Sequence, residues 1–537
     1  MSHSNHWYVI ASARGLQEYI LRSPRLIDMV GASELIESLA TDLRDPLVAT
    51  LQTLHPGTRV DAVGQSAGSV RLVFESEAAA RTFVQLWPFL CQRIAPGLEV
   101  ACAVGPLNVK GSDSIRQVEH QIDQQRNRRH VPLPIGNLAI RWASQTGTPA
   151  SPQIKGTHPG TDEEVDAETA AKRGAASNGK GRLLRKCLPD AVYDSPEFQF
   201  PTDLTRFVRD DSSYVAIIHI DTNGLGKRFL SLAQRLANQP PAADLIARWK
   251  ELFLNTSKAL EEATQSAVQR ALEPILERIP ESDRSQVPIR PLVCAGDDIT
   301  LILRADWAIE FTEAYLRWLP TELESHAASL PDEFTNSPLT AAAGIVFVPA
   351  KFPFYDAYEV CEKLVAWTKR TTNRSRSGIS FLRLTEPLTG PDIFPALHFH
   401  DPHTDDPSRL VQTLCPYIVG DRVNDHPNLT DLLQLLGQLP DLVSPGLREL
   451  LRQPNPSWPD LESRFARVCE VLDDREDGAG RALRQGLALL TNAKDDSPRC
   501  FVRSHESESS TPIRDLLELL VLGIPNHTLS NPEATPV

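Results

Sequence analysis

Val293-Cys294-Ala295-Gly296-Asp297-Asp298-Ile299-Thr300-Leu301-Ile302-Leu303 sets the architecture of this chain. It reads as two short apolar strands joined by a tight Ala-Gly-Asp-Asp turn. Strand side chains alternate between two faces, but a hairpin tip interrupts the alternation and presents its acidic groups at an exposed edge. Two adjacent carboxylates at such a tip repel one another. A divalent cation held by oxygen ligands offsets that repulsion; a hairpin turn that uses Asp for its local hydrogen bonds is the alternative.

Upstream, Tyr214-Val215-Ala216-Ile217-Ile218-His219-Ile220-Asp221-Thr222-Asn223-Gly224-Leu225-Gly226-Lys227 carries a β-branched apolar run that stops at Asp221. A glycine-containing turn then opens a helix from about Lys227. An Asp at the end of a central strand is placed to meet Asp297 and Asp298 of a neighbouring hairpin. Gly224, Gly226 and Gly296 bring bare backbone to the same edge, the helix N-terminus favours phosphate, and Lys227 adds a point charge. Together these are the parts of a two-metal nucleotidyl-transfer site: carboxylates for Mg²⁺ or Mn²⁺, and a cradle for a triphosphate.

The 537 residues exceed one ordinary core, so about two to four domains are expected. Hydrophobic content of 41% and charged content of 23% describe a soluble globular protein. A net charge of −14 argues against a surface coated for nucleic acid, yet leaves room for a local basic groove. Eight cysteines without a Cys-x-x-Cys pair fit reduced, buried thiols and no cysteine zinc site. No signal-peptide pattern and no apolar run of membrane-spanning length occur, so a cytoplasmic protein with no membrane partner is expected.

Asp-Thr-Asn-Gly-Leu-Gly from Asp221, Ala-Gly-Asp-Asp from Ala295, Leu339 to Val346 and a helix ending near Lys369 resemble a palm domain of the GGDD cyclase/polymerase type. Above all they resemble the large subunit of type III CRISPR effector complexes, the Cas-ten or Cmr-two family, over roughly residues 7 to 385. The resemblance implies an α+β fold: two ferredoxin-like palm domains, the first degenerate and the second with the AGDD hairpin, plus a C-terminal helical bundle. The expected domains are residues 1–110 (degenerate palm), 111–212 (polar connector), 213–388 (catalytic-type palm) and 389–537 (helical).

In the first palm, Ser12-Ala13-Arg14-Gly15-Leu16 aligns with Asp221-Thr222-Asn223-Gly224-Leu225, and Ala67-Gly68-Ser69-Val70 with Ala295-Gly296-Asp297-Asp298. The glycines survive and the carboxylates are gone, so this copy cannot hold catalytic metals. The Gly15 to Ile20 and Val30 to Leu35 stretches also resemble the family's first palm.

The resemblance further implies a nucleotidyltransferase making cyclic oligoadenylates from ATP on binding target RNA, as antiviral signals. Asp221, Asp297 and Asp298 would be catalytic and metal-binding, and Lys369, with Arg370 beside it, would contact the triphosphate. Cations also suit a helix C-terminus for dipole reasons alone. Asn223 stands where many members carry a second aspartate, and Ala295 replaces the first glycine of the hairpin motif. The family's HD nuclease is expected to be missing, and with it DNase activity. The other readings are a non-catalytic palm scaffold of an RNA-guided complex, with guide or target RNA and effector subunits as partners, and a stand-alone defence cyclase.

Elsewhere the pattern predicts helices over Leu16–Leu26 and Ala32–Thr41, a hairpin over Val60–Phe74, and long helices over Ala242–Ile279 broken at Pro274. Beyond residue 390 it predicts helices at Pro407–Tyr417, Leu429–Leu436, Gly446–Leu451, Leu461–Leu472, Ala479–Leu490 and Ile513–Leu522, then a disordered tail. Two basic groups, Arg126/Arg128/Arg129/His130 and Lys172/Arg173/Lys180/Arg182/Arg185/Lys186, are either RNA-backbone contacts or a solvated face. His398, His400 and His403 alternate as metal ligands can, in a loop-like setting without cysteines.

Overall fold

A computed structural model of the chain describes residues 6–66, 68–107, 112–127, 143, 163–176, 180–208, 214–237, 245–296, 298–386, 410–411, 413–423, 426–439, 443–450, 458–473, 478–493, 497, 500–505 and 508–524. Asp297, Arg128 to His130, the His398–His403 cluster and the C-terminal tail lie outside them.

β1 (His6–Arg14) leads into α1 (Leu16–Leu21) and α2 (Leu26–Ser38), and a π-helical turn at Leu39–Leu43 joins α2 to α3 (Arg44–Leu54). β2 (Val60–Ser66), β3 (Ser69–Phe74), α4 (Glu77–Ile94) and β4 (Glu99–Leu107) follow. The four strands form an antiparallel sheet in the order β2-β3-β1-β4. Strand alternation sorts the side chains into two cores. Tyr8, Ile10 and Val73 enter one, and Val9, Ala11 and Leu72 the other, beneath α1, α2 and α4.

Next come α5 (Ser112–Arg126), α6 (Ala167–Ala176), α7 (Gly181–Cys187) and the short α8 (Asp190–Tyr193). The sequence reads this region as a polar connector with an exposed basic face. Within the described residues part of it is instead buried, while Arg126, Arg182 and Arg185 stay exposed. Lys172 and Arg173 are buried, with Lys172 Nζ 2.6 Å from Glu168 Oε1 and from the Tyr19 carbonyl. Arg173 pairs with Asp28 at 2.8 Å and Glu163 at 3.0 Å, and Lys186 with Glu37 at 2.8 Å and Glu261 at 2.9 Å. Asp28 and Glu37 come from α2, distant in sequence, so no local pattern announces those two pairs.

The second sheet contains β5 (Tyr214–Thr222), β6 (Ile289–Ala295), β7 (Asp298–Arg304), β8 (Ala341–Pro349) and β9 (Gly378–Arg383). Between its strands lie α9 (Leu225–Ala237), α10 (Leu245–Glu277), α11 (Ala308–Glu324), α12 (Asp332–Thr335) and α13 (Phe354–Thr371). With the two-residue β11 (Tyr417–Ile418) at one edge, the order is β11-β9-β8-β5-β7-β6. Its run β8-β5-β7-β6 repeats the first sheet's β4-β1-β3-β2. β5 is buried on both faces from Val215 to Ile220, which is why it reads as an unbroken apolar run.

The structure shifts the expected alignment of the two copies by one residue. Ser66 pairs with Ser69 across the first hairpin and Ala295 with Asp298 across the second, and both bracket two-residue turns. Ser69 therefore matches Asp298, while the glycines occupy different turn positions, Gly68 (φ 68°) the second and Gly296 (φ 62°) the first. Either central position of such a turn accepts positive φ, so aligning glycine on glycine misplaces the register.

Pro274 does not break α10, which runs as one helix of 33 residues. Its buried face, including Ala267, Ala271 and Ile275, holds it in place despite the missing hydrogen bond. Lys250 pairs with Asp61 of β2 at 2.6 Å, Trp249 meets Tyr8 of β1 edge-on, and Thr264 Oγ1 donates to the Gly296 carbonyl at 2.6 Å. The helix is fastened to both sheets.

The rest of the chain contains β10 (Leu410–Val411), α14 (Leu429–Gln438), α15 (Val443–Leu450), α16 (Trp458–Asp473), α17 (Ala479–Thr491), β12 (Arg503–His505), β13 (Glu508–Ser510) and α18 (Ile513–Val521). The helix expected over Pro407–Tyr417 is replaced, where described, by β10 and β11, and β10 joins a small sheet ordered β10-β13-β12. Strand partners from elsewhere override the local pattern. All eight cysteines are buried, and none is in a disulfide. Among the described residues no helix is long and apolar enough to cross a membrane.

Candidate active site at the edge of the second sheet

β5 lies between β7 and β8, and its last turn of chain reaches the sheet edge at Asp221. Gly224 (φ 72°) then turns the backbone, and its carbonyl receives the N–H groups of Lys227 and Arg228 in the first turn of α9. Lys227 is exposed there, and the space beside Gly224 and Gly226 is open. The guanidinium of Arg228 donates to the carbonyls of Phe334, Ser337 and Pro338, which pins α9.

Asn223 is buried, and its amide NH₂ donates to Thr340 Oγ1 at 3.0 Å and to the Arg376 carbonyl at 3.3 Å. The structure therefore uses it as a brace between the β5 turn and the loop after α13.

Asp221 stands directly opposite Asp298 in the β5–β7 register. Opposed residues of an antiparallel pair project from the same face, with Cβ atoms about 4.5–5.5 Å apart. Two carboxylates so placed destabilise the pair unless a cation joins them. The same face carries His219 and Thr300, one opposed pair further in, and α13 lies over it.

The two carboxylates have different partners. Asp221 Oδ2 takes the ammonium of Lys369, from the last turn of α13. Asp298 Oδ1 lies 3.2 Å from His219 Nδ1, which is also 3.2 Å from Thr300 Oγ1. Asp298 Oδ2 accepts from Gln17 Nε2 of α1 at 3.3 Å. Burial holds the His219 imidazole below its ordinary pKa, against the opposing pull of Glu362 and Asp221, so the ring is neutral near pH 7. Lys369 is only 13% exposed, whereas Asp221 and Asp298 keep 39% and 31% of their side-chain surface open.

Arg370 is exposed at the end of α13, ahead of a turn with positive φ at Asn373 and Arg374. A cleft of about 310 Å³ opens between the two sheets beside Asp298, lined by Gly15, Gln17, Glu37, Arg126 and Val293 among others. A larger one, about 460 Å³, lies at the far end of β7 around Arg278, Trp307 and Glu310, away from both carboxylates.

Among the described residues no three His, Cys, Asp or Glu side chains converge as a finished metal cluster. The donor set nonetheless fits a divalent cation. It offers two opposed oxygen donors, one of which already holds a cationic ammonium, while Asp297 precedes Asp298 in the chain. His219 and Gln17 were not singled out from the sequence. Parity along β5 would have placed His219 on the Asp221 face, but nothing local signals the long-range contact of Gln17.

No protein-family model matches the chain, and no curated protein matches it in sequence. Solved structures do. Csm1 in T. onnurineus matches at 12% identity and a TM-score of 0.54, over 97% of this chain and 70% of that one. A Csm1-Csm4 cassette in complex with AMPPNP matches at 11% identity and 0.50, over 98% and 70%. The cassette in complex with cA4 matches at 13% identity and 0.42, over 70% of this chain and 55% of that chain, so this chain spans about half its length. What the chain shares with Csm1 is its fold.

Proposed function

We propose that the chain is a metal-dependent nucleotidyltransferase of the Cas-ten type, making cyclic oligoadenylate-type signals from ATP in CRISPR-related antiviral defence. The observation that carries this reading is the opposition of Asp221 and Asp298 at a sheet edge, on a fold shared with Csm1. In this reading the first sheet, within residues 1–110, is a degenerate palm, and residues 213–388 form the active one. Residues 111–212 connect them, and 389–537 form the C-terminal domain. Ser12 and Ser69 stand opposed where the active copy has its two aspartates.

Asp221, Asp298 and Asp297 would hold Mg²⁺ or Mn²⁺, which when bound acidifies an attacking 3′-hydroxyl and neutralises charge on the triphosphate. The chain's own groups position the substrate. Gly224, Gly226 and the start of α9 offer backbone N–H groups to phosphate, Gly296 leaves the hairpin tip bare, and Lys227, Lys369 and Arg370 supply positive charge. The 3′-hydroxyl oxygen bonds to the α-phosphorus of a second nucleotide, and the bond to pyrophosphate breaks. No covalent enzyme intermediate is needed. The cleft beside Gln17 and Asp298 is at the small end of ligand-site volumes and would take a base and ribose. Effector-complex subunits and RNA are the proposed partners.

Labelled ATP incubated with Mn²⁺, with and without RNA, tests the reading. Wild type is expected to form oligonucleotide products and pyrophosphate, and Asp221→Asn or Asp298→Asn to abolish both. Identical product profiles would leave the scaffold reading, which the existing protein partners of both carboxylates favour.

A further inference from the structure

We propose that Gln17 is a positioning residue for Asp298, so that α1 of the first sheet completes the site carried by the second. The inference rests on the nucleotidyltransferase reading above.

Tyr19, Ile20 and Leu21 are buried and fix α1 against the first core, which leaves Gln17 to face the cleft between the sheets. Its Nε2 lies 3.3 Å from Asp298 Oδ2, across 281 residues of chain. The other oxygen, Oδ1, lies 3.2 Å from His219 Nδ1. The α1 amide thus bonds one oxygen of the carboxylate, while the other faces His219 of the second sheet.

The Gln17 grip is a neutral primary amide. A neutral donor fixes a carboxylate's direction and leaves its charge available to a cation. A lysine or arginine in the same place would compensate that charge instead. The grip is also one-sided. Gln17 is the second residue after Gly15, and its counterpart after Gly224 is Gly226, which has no side chain to reach out with. The contact therefore is not a leftover of duplication. It ties the orientation of Asp298 to the distance between the two sheets.

The test uses the full-length protein and four forms: wild type, Gln17→Leu, Asp298→Asn and the double variant. Mn²⁺ binding without nucleotide is followed by electron paramagnetic resonance, and product formation by kcat and KM for ATP. Gln17→Leu is expected to weaken Mn²⁺ binding about threefold and to lower kcat about tenfold. The Mn²⁺ effect should vanish in the Asp298→Asn background, since residues that act through one another are not additive. Gln17→Glu should tighten Mn²⁺ binding by adding a carboxylate, yet still lower kcat, a split that simple loss of folding would not give. The proposal fails if Gln17→Leu leaves Mn²⁺ binding unchanged, or if its effect persists without Asp298. A wild type that binds Mn²⁺ but forms no product would sink the enzymatic reading, while the Mn²⁺ cycle would still decide whether Gln17 acts on Asp298.

Discussion

The ammonium of Lys369 lies against the Asp221 carboxylate, in the place a catalytic cation would claim. The residue expected to hold triphosphate therefore starts on a proposed metal ligand, and in that reading cation binding has to move it. Lys369→Met is expected to tighten Mn²⁺ binding in the absence of nucleotide and to raise KM for ATP, each about tenfold, the equivalent of about 1.4 kcal/mol. Metal titration and steady-state kinetics on the same preparation check both. Weaker Mn²⁺ binding in the variant would mean that the lysine supports the ion instead of standing in for it.

Opposed like charges on neighbouring strands are unfavourable, so the acidic pair should trade stability for chemistry. Asp298→Asn is expected to raise the metal-free unfolding free energy by up to about 1 kcal/mol while lowering product formation at least about 10²-fold. Urea denaturation with EDTA, set beside the activity assay, reads the two effects separately.

Asp515 of α18 is buried beneath β11, where its Oδ2 accepts from Tyr417 at 2.6 Å and from the Leu414 N–H at 2.8 Å. Burial raises its pKa to about 7 from an ordinary value of 3.8, and nearby Glu518, itself raised by burial despite Arg514, adds to the effect. The folded state thus keeps a proton that the unfolded state loses. The contribution of Asp515 to stability is fullest below about pH 4, falls as pH rises to about 7, and levels off above that. Asp515→Asn keeps an acceptor oxygen and removes the charge. Its melting temperature should exceed that of wild type at pH 8 and match it near pH 4.

Two glycines, one in α2 and one on the exposed side of α6, should respond in opposite senses. A Cβ on Gly31 would sit 1.7 Å from the Lys172 carbonyl oxygen, backbone that cannot swing away, whereas one on Gly174 meets nothing within 4 Å. Gly31→Ala is expected to destabilise by about 3 kcal/mol or more. Gly174→Ala, inside a helix, is expected to stabilise by about 0.5–1 kcal/mol. Chemical denaturation of both variants is the check.

Local chemistry in the sequence went far at the strands and turns. The apolar run ending at Asp221 and the hairpin around Gly296 fall where the strands β5, β6 and β7 lie, because burial on both faces and a tight turn leave plain marks. What the sequence hid came from partners distant along the chain. Arg173 looks solvated until Asp28 arrives from α2, and Lys186 until Glu37 does. Pro274 looks like a break until the packing of α10 outweighs one lost hydrogen bond. At the site, Asn223 resembles a ligand position by alignment, but Thr340 and the Arg376 carbonyl claim its amide. The glycines of the two hairpins invited an alignment that strand pairing moves by one residue.

Helix α10 acts as a rod about 50 Å long, gripping the first sheet at Asp61 and the turn at Gly296 through a single continuous spiral. The phase between the two halves is then written into the number of residues separating Lys250 from Thr264. Adding or deleting one residue there would twist one anchor about 100° around the axis relative to the other and slide it about 1.5 Å. The length of that segment is consequently less free to drift than its surface composition.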